Sequence, residues 1–122
     1  MSRWKSCLAV LTLVAAPVVV SAAGWGALLL QGPTEWFNGD DIKMLVDSAR
    51  QALEDAPVGK PVAWSNPKTR NSGAATILDE STRNGQTCKT IKVETQAKGL
   101  KESMRYVACR EPDGRWGLTV AP

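Results

Sequence analysis

Cys88 and Cys109 are the residues whose type and spacing bear most directly on chemistry in this 122-residue chain. Redox catalysts usually carry two cysteines as close as Cys-x-x-Cys, and that spacing is absent. A zinc site needs about four ligands, and the chain has no histidine to supply them. Of three alternatives, a redox pair, a metal site and a structural disulfide, we predict the disulfide.

The residues between the two cysteines support that prediction. A two-residue turn at Lys98-Gly99 would fold residues 88–109 into a hairpin in which Cys88 faces Cys109. Counting from the turn places this pair at a non-hydrogen-bonded position, where Cα atoms lie roughly 4.5 Å apart, at the short edge of the disulfide range. The hydrophobic side chains alternate onto the opposite face, which we expect to be the core: Ile91, Val93, Met104 and Tyr106.

Apart from the two cysteines, the sequence does not show the residue patterns of three common catalytic sites. A Ser-His-acid triad is impossible without histidine, and a glycine-rich phosphate loop does not occur. Asp79 and Glu80 are adjacent on an expected strand, so their side chains point to opposite faces and do not make a glycosidase pair. We therefore predict no enzymatic activity, no metal site and no cofactor.

A binding surface is the remaining functional candidate. Two tryptophans could form an aromatic platform for a glycan or a peptide, although we favour a place in the core for both. The stretch "NPKTRNSG" could present its two cations to an anionic envelope polymer, and ordinary turn chemistry explains its composition equally well. The candidate binding surface therefore comprises Trp64, Asn66, Lys68, Arg70 and Trp116.

One amphipathic helix is predicted ahead of these residues. Its apolar side chains recur at the three-to-four-residue spacing of one helix face: Ile42, Leu45, Val46, Ala49, Leu53 and Ala56. Asn38, Asp40 or Asp41 can cap its start, where carboxylates complement the helix dipole, and Pro57 ends it. Adjacent Asp40 and Asp41 could also indicate a metal or acid–base pair, but we favour their role at the helix start.

Five short strands are predicted after the helix. They span residues 61–65, 74–81, 87–96, 101–110 and 115–120, and turn residues separate each from the next. Such spacing is typical of an antiparallel meander. The predicted fold is α+β: a small antiparallel β-meander of four to five strands with one N-terminal amphipathic helix packed on it.

The N-terminal segment has the composition of an export signal. Residues 1–30 carry only Arg3 and Lys5 as charges, ahead of an apolar run at 8–20 and small residues at 21–24. We predict a signal peptide at 1–23, a tether at 24–39 and a domain at 40–122. The alternative is an uncleaved membrane anchor to about residue 30, since about 20 apolar residues span a bilayer. Either way the remainder lies outside the cytoplasmic membrane.

The charge balance argues against one class of partner. Two of the 15 basic residues lie in the N-terminal segment, which leaves 13 against 12 acidic residues. A nucleic-acid-binding protein usually shows a clustered excess of positive charge, so we predict no nucleic-acid partner.

The position of Cys7 argues against a lipoprotein signal. Cys7 precedes the apolar run, whereas the acylated cysteine of a lipoprotein signal follows it.

Three stretches carry a family resemblance: "RQALEDAPVGKPVAWSNPKTRNSG" at 50–73, "GQTCKTIKV" at 85–93 and "VACREPDGRWGL" at 107–118. Over about residues 45–120 the chain resembles the C-terminal domain of the bacterial 17-kilodalton surface antigens, typified by the rickettsial common antigen. The resemblance implies an exported envelope domain without known catalysis. It makes the following residues pattern positions: Trp64, Asn66, Pro67, Asn71, Gly73, Cys88, Cys109, Gly114 and Trp116.

The chain differs from that family at its front. Many members carry a lipobox cysteine and a glycine-rich segment, of which only Gly24 and Gly26 remain here. We therefore expect an exported protein of the periplasm or the cell envelope and outer membrane, with inner-membrane anchoring if the signal is not cleaved. Its role is predicted to be structural or adhesive, with a soluble periplasmic binding or inhibitor module as the alternative. The expected partner is an envelope component, protein or glycan, with membrane association through the N-terminal segment.

Overall fold

The computed structural model describes residues 32–121. The predicted signal or anchor segment and the first part of the tether lie outside the described residues. Within residues 32–121, no helix has both the length and the hydropathy that a transmembrane span requires.

One helix packs on a five-stranded antiparallel sheet, which confirms the predicted α+β class. After a short 3-10 helix, Gly32–Trp36, comes α1, Gly39–Asp55. The strands follow in sequence order and each pairs with the next. They are β1 Val62–Ser65, β2 Ser72–Arg83, β3 Gln86–Ala97, β4 Leu100–Arg110 and β5 Trp116–Val120.

The helix begins and ends where local sequence signals place its boundaries. Asn38 is the N-cap and forms a reciprocal capping box with Asp41, which satisfies two backbone N–H groups at the helix start. Ala56 is the C-cap, in extended conformation, directly before Pro57. The buried residues of α1 are Asp41, Leu45, Ser48, Ala49, Ala52 and Leu53.

Two-residue turns set the register of the long strands. Asn84-Gly85 and Lys98-Gly99 all have positive φ, between 50° and 77°, as a type I′ hairpin turn requires. The β3–β4 register runs from Ala97 opposite Leu100 to Cys88 opposite Cys109, as predicted. The sequence did not indicate the irregularity in β2, where pairing with β3 shifts between Ile77 and Asp79.

The core lies between α1 and one face of the sheet. Its buried members are Leu45, Ala49, Ala52, Leu53, Trp64, Ala75, Ile77, Ile91, Val93, Tyr106, Ala108, Trp116 and Leu118. Ile91, Val93 and Tyr106 are thus in the core as expected, with Met104 packed partly buried against it. Helix and sheet therefore form two layers, and the described residues leave the second face of the sheet uncovered.

The tether docks on the domain in its described part. Pro33 and Thr34 are buried, and the Trp36 carbonyl accepts a hydrogen bond from Asn71 Nδ2 at 3.1 Å. Phe37 meets Trp64 edge-to-face, with ring centroids 5.3 Å apart. Residues 32–37 dock on the domain.

Candidate functional site

The two cysteines form a disulfide, as predicted. Their Cα atoms lie 4.0 Å apart, in line with the close approach of a non-hydrogen-bonded pair. Cys88 is buried but does not belong to the hydrophobic cluster under α1, so the bond lies on the sheet face away from the helix. Burial of Cys88 disfavours exchange at its sulfur with a redox partner, and this favours a structural cross-link.

The loop between β1 and β2, residues 66–71, contains three of the five candidate binding residues: Asn66, Lys68 and Arg70. It is held by the carboxylate of Asp41, which is fully buried. Asp41 Oδ1 accepts hydrogen bonds from Asn66 Nδ2 at 2.8 Å and from Thr69 Oγ1 at 2.7 Å. Its Oδ2 accepts from Asn71 Nδ2 and from the Asn38 N–H, both at 2.9 Å. One carboxylate thus joins the start of α1 to the loop.

The hydrogen bonds decide the ionisation of Asp41. Burial acts to raise the pKa of its carboxyl, because a charge is poorly solvated away from water. The donors that surround it outweigh burial, so the pKa lies below the ordinary value of 3.8. In order of effect they are the Asn38 N–H, Asn71, Thr69 and Asn66. Asp41 is therefore an ionised structural anchor at neutral pH.

Backbone hydrogen bonds complete the loop. The Asn66 N–H donates to the Asn71 carbonyl at 2.9 Å, and the Arg70 N–H donates to the Asn66 carbonyl at 2.8 Å. The Lys68 N–H donates to Asn66 Oδ1 at 3.1 Å. Arg70 takes a left-handed backbone conformation, with φ of 63°. The side chains of Lys68 and Arg70 are exposed on the outside of this fixed loop.

Ser65 and Lys68 have the S-x-x-K spacing of some serine acyl-transfer enzymes. In enzymes that use this pair, both residues lie on one helix turn. Here Ser65 ends β1 and Lys68 lies in the following turn, so the spacing does not bring the two side chains onto one helical face.

The two tryptophans belong to the core and lie at opposite ends of it. Trp64 is 9% exposed and packs across the strand pair on Gly73, where an added Cβ would lie 2.6 Å from its Nε1. Trp116 is 5% exposed, and its Nε1 donates to Glu54 Oε1 at 2.8 Å. Their burial agrees with the core interpretation and leaves no exposed platform made of these two rings.

The five candidate binding residues therefore do not form one surface. Trp64, Asn66, Lys68 and Arg70 lie near Asp41 at the start of α1, whereas Trp116 is bonded to Glu54 near its end. A helix rises about 1.5 Å per residue, so these two positions are about 20 Å apart. Within the first group only Lys68 and Arg70 are exposed, and they remain the candidates for contact with a partner.

A groove crosses β2, β3 and β4 close to the same loop, and the sequence analysis missed it. Its volume is about 400 Å³, and its lining residues are Ser72, Gly73, Ala74, Glu94, Thr95, Gln96, Lys101, Glu102 and Ser103. Three consecutive small residues at the start of β2 leave this space, and their run in the sequence was the available signal. By strand alternation most of the lining side chains point away from α1.

Within residues 32–121, no group of three or more cysteine and carboxylate side chains could hold a metal ion. Asp41 acts as a helix-start acid, as favoured from the sequence, and Asp40 beside it is exposed. The arrangement around the loop can therefore bind through charge, hydrogen bonds and shape, but it does not bring acid, base and nucleophile together.

A family model and individual relatives of known name both match this chain, and they indicate the same family. The family model described as "17 kDa outer membrane surface antigen" matches residues 51–117. The 17 kDa surface antigen of Rickettsia bellii is 38% identical over 78 residues, which are 62% of this chain and 48% of that protein. The antigen of Rickettsia conorii is 40% identical over 72 residues, 57% of this chain and 44% of that protein. The match thus spans less than half of these relatives, and no solved structure matches the chain. The chain belongs to the 17 kDa outer membrane surface antigen family.

Proposed function

We propose that this protein is an exported cell-envelope protein whose disulfide-linked domain has a non-catalytic, structural or adhesive role. The Cys88–Cys109 disulfide carries this proposal. Disulfides persist in oxidising compartments such as the periplasm and the cell surface, and they are rare in the cytosol. A domain of this family that depends on such a bond is suited to the envelope.

The ionisable groups support a non-catalytic role. Perturbed pKa values at an active site usually belong to groups that converge on a cleft. The pKa of Asp41 is depressed by the hydrogen bonds of the helix cap and the loop. That of Asp113 is depressed by the N–H and the guanidinium of Arg115 in the β4–β5 turn. Each shift is explained by a local structural contact.

A second candidate function is a soluble periplasmic binding or inhibitor module. The groove on the open face of the sheet favours it, since about 400 Å³ is enough for a small ligand or one side chain of a protein partner. Glu94, Lys101 and Ser103 would supply both charges and a hydroxyl to such a partner.

Fractionation of native cells, followed by intact mass with and without reductant, tests the proposal. We expect the protein with the membrane and envelope fraction, and we expect reduction to add the mass of two hydrogen atoms. The Cys88→Ser, Cys109→Ser variant is the control and should show no change on reduction. Release with the soluble periplasm would favour the binding module. Recovery from the cytosol with free thiols would contradict both functions.

A further inference from the structure

One end of the domain collects exposed cations and exposed apolar side chains. The register places Ser72, Gln96 and Lys101 in one row across the sheet, so the 66–71 loop lies beside the Lys98-Gly99 turn. The 3-10 helix lies against the same turn, because the Lys98 ammonium is 4.3 Å from the centre of the Trp36 ring. We call this end the basic pole, formed by Trp36, Lys68, Arg70, Lys98, Leu100 and Lys101.

The apolar part of the basic pole is Trp36 and Leu100. Their side chains are 47% and 56% exposed, among the most exposed large hydrophobic residues of the described chain. Trp36 is also fixed in place, since its carbonyl accepts from Asn71 and its ring faces Lys98. Tryptophan combines a large apolar ring with a hydrogen-bond donor, and it is enriched at membrane–water interfaces for that reason.

The cations of the basic pole are available to a partner. Lys68, Arg70, Lys98 and Lys101 are exposed, and none takes part in an ion pair within residues 32–121. Three carboxylates at this end lie in the helix layer or on the sheet face that α1 covers: Glu35, Asp40 and Glu102. A fourth, Glu94, lies on the open face beside the groove and pairs with Lys92 at 3.3 Å. The four cations therefore exceed the carboxylates of the sheet layer at this end, since Glu94 already has Lys92 as its partner.

The chain enters the domain at the same pole. Gly32, the first described residue, lies so close to Glu102 of β4 that a Cβ on Gly32 would clash with that carboxylate. The sequence ahead of it carries no charged side chain from residue 8 to residue 30. Residues 24–30, "GWGALLL", would stay apolar even after removal of the predicted signal. The described chain therefore begins at the basic pole, directly after this apolar stretch of sequence.

We propose that the basic pole rests on an anionic phospholipid surface. Trp36 and Leu100 contact the headgroup region, and Lys68, Arg70, Lys98 and Lys101 bind lipid phosphates. A lysine or arginine near an anionic membrane strengthens association about fivefold. The inference rests on the proposed envelope location, and it adds the lipid class and the face of the domain that meets the membrane.

Amide hydrogen exchange of the full chain on phospholipid vesicles tests the proposal. We expect exchange in residues 98–101 to slow at least about threefold on vesicles with anionic lipid, relative to purely zwitterionic vesicles. The effect should disappear in high salt, because salt screens exposed charges. The opposite end of the sheet, residues 84–85 and 112–114, should exchange alike on both kinds of vesicle.

A matched pair of variants isolates the charges. Arg70→Glu with Lys101→Glu should abolish the protection on anionic vesicles. Lys60→Glu with Arg83→Glu makes the same change of net charge at exposed positions outside the basic pole and should leave the protection intact. Both variants alter only exposed side chains, so near-wild-type unfolding curves are expected for each.

Four results would overturn the inference. Equal protection on zwitterionic vesicles would remove the role of anionic lipid, and loss of protection in both variants would remove the role of this pole. Vesicle binding without protection of residues 98–101 would refute the docked pole while leaving the proposed envelope function intact. Failure of the full chain to bind any vesicle would refute membrane docking itself, and cell fractionation would then judge the envelope function separately.

Discussion

Asp41 shows how one side chain at a helix start can organise residues distant in the sequence. Its carboxylate caps α1 locally and also fixes Asn66, Thr69 and Asn71, which lie 25 to 30 residues further on. Asn66 and Asn71 are pattern positions in the family resemblance, and the structure gives the reason: each donates an amide N–H to the same buried charge. Loss of any one of the four donors would leave this buried charge less well satisfied and would cost free energy.

Replacing Asp41 should therefore weaken the fold strongly. We expect Asp41→Asn to lower the free energy of unfolding by about 2–3 kcal/mol at pH 7, because the amide loses the charge and turns N–H groups toward donors. Asp40→Asn at the exposed neighbouring position should change it by less than about 0.5 kcal/mol. Urea unfolding of both variants measures the difference, and equal effects would contradict the central role of Asp41.

The same carboxyl predicts a pH dependence. Because its pKa is depressed in the folded state, its stabilising contribution is present above the ordinary value of 3.8 and is lost as pH falls through the lower folded pKa. The wild type should lose stability with acid in that window. The difference between wild type and Asp41→Asn should be constant near neutral pH and shrink below 3.8. Urea midpoints measured across this range check it, and a difference that grows with acid would refute it.

Gly73 is a position where only a hydrogen atom fits beside Trp64. An added Cβ would clash with the Glu94 carbonyl and lie 2.6 Å from Trp64 Nε1. We expect Gly73→Ala to cost about 1–3 kcal/mol in unfolding free energy, since backbone and indole must move. Gly39→Ala at the start of α1 is the control, because nothing lies within 4 Å of its Cβ. Thermal unfolding of both variants measures the cost, and a neutral Gly73→Ala would refute the close packing.

At the scale of elements, α1 is attached to the sheet at both ends by polar contacts. Asp41 makes the attachment at its start. At its end the Lys89 ammonium of β3 donates to the Leu53 carbonyl at 2.6 Å, and Trp116 and Arg110 both contact Glu54. Cations at a helix C-terminus interact favourably with the helix dipole and with its free carbonyls. The two ends fix the position of the helix along the sheet.

Removing the Lys89 ammonium tests this attachment. Lys89→Met keeps most of the apolar stem and should lower the unfolding free energy by about 1–2 kcal/mol, because a helix-end carbonyl loses its partner. Lys43→Met is the matched control. Lys43 pairs only with Asp47 at 3.4 Å, and both side chains are mostly exposed, so its loss should cost less than about 0.5 kcal/mol. Guanidinium unfolding compares the two, and equal losses would refute the role of Lys89.

Elements were predictable where the determining residues are close in sequence. The periodicity of α1, its cap and Pro57 lie within twenty residues, and Asn84-Gly85 and Lys98-Gly99 set their hairpins locally. The register that joins Cys88 to Cys109 followed from the second turn alone. The contacts of Asp41 with the loop, the irregularity in β2 and the docking of the 3-10 helix depend on tertiary packing. No local sequence pattern specifies these three features, so they could not be predicted from the sequence.

At the scale of the whole molecule, the two faces of the sheet have different means of stabilisation. One face is buried under α1 and contributes the hydrophobic core. The other face is not covered by a second layer among residues 32–121, and the Cys88–Cys109 bond links two of its strands. Small domains bury little apolar surface, so a covalent link is a substantial part of their stability. This division also leaves the groove and the basic pole free for partners.

Loss of the disulfide should therefore weaken the entire domain. Closing a loop between residues 21 apart in sequence is expected to contribute about 3 kcal/mol through the entropy of the unfolded chain. We expect Cys88→Ser with Cys109→Ser to lower the unfolding free energy by that amount, in a Cys7→Ser background that prevents exchange with the third cysteine. Reductant should reproduce the loss in the parent and leave the double variant unchanged. If the parent keeps its unfolding midpoint after complete reduction, verified by mass, the sheet holds its fold without the bond. The structural reason for an oxidising location would then be gone.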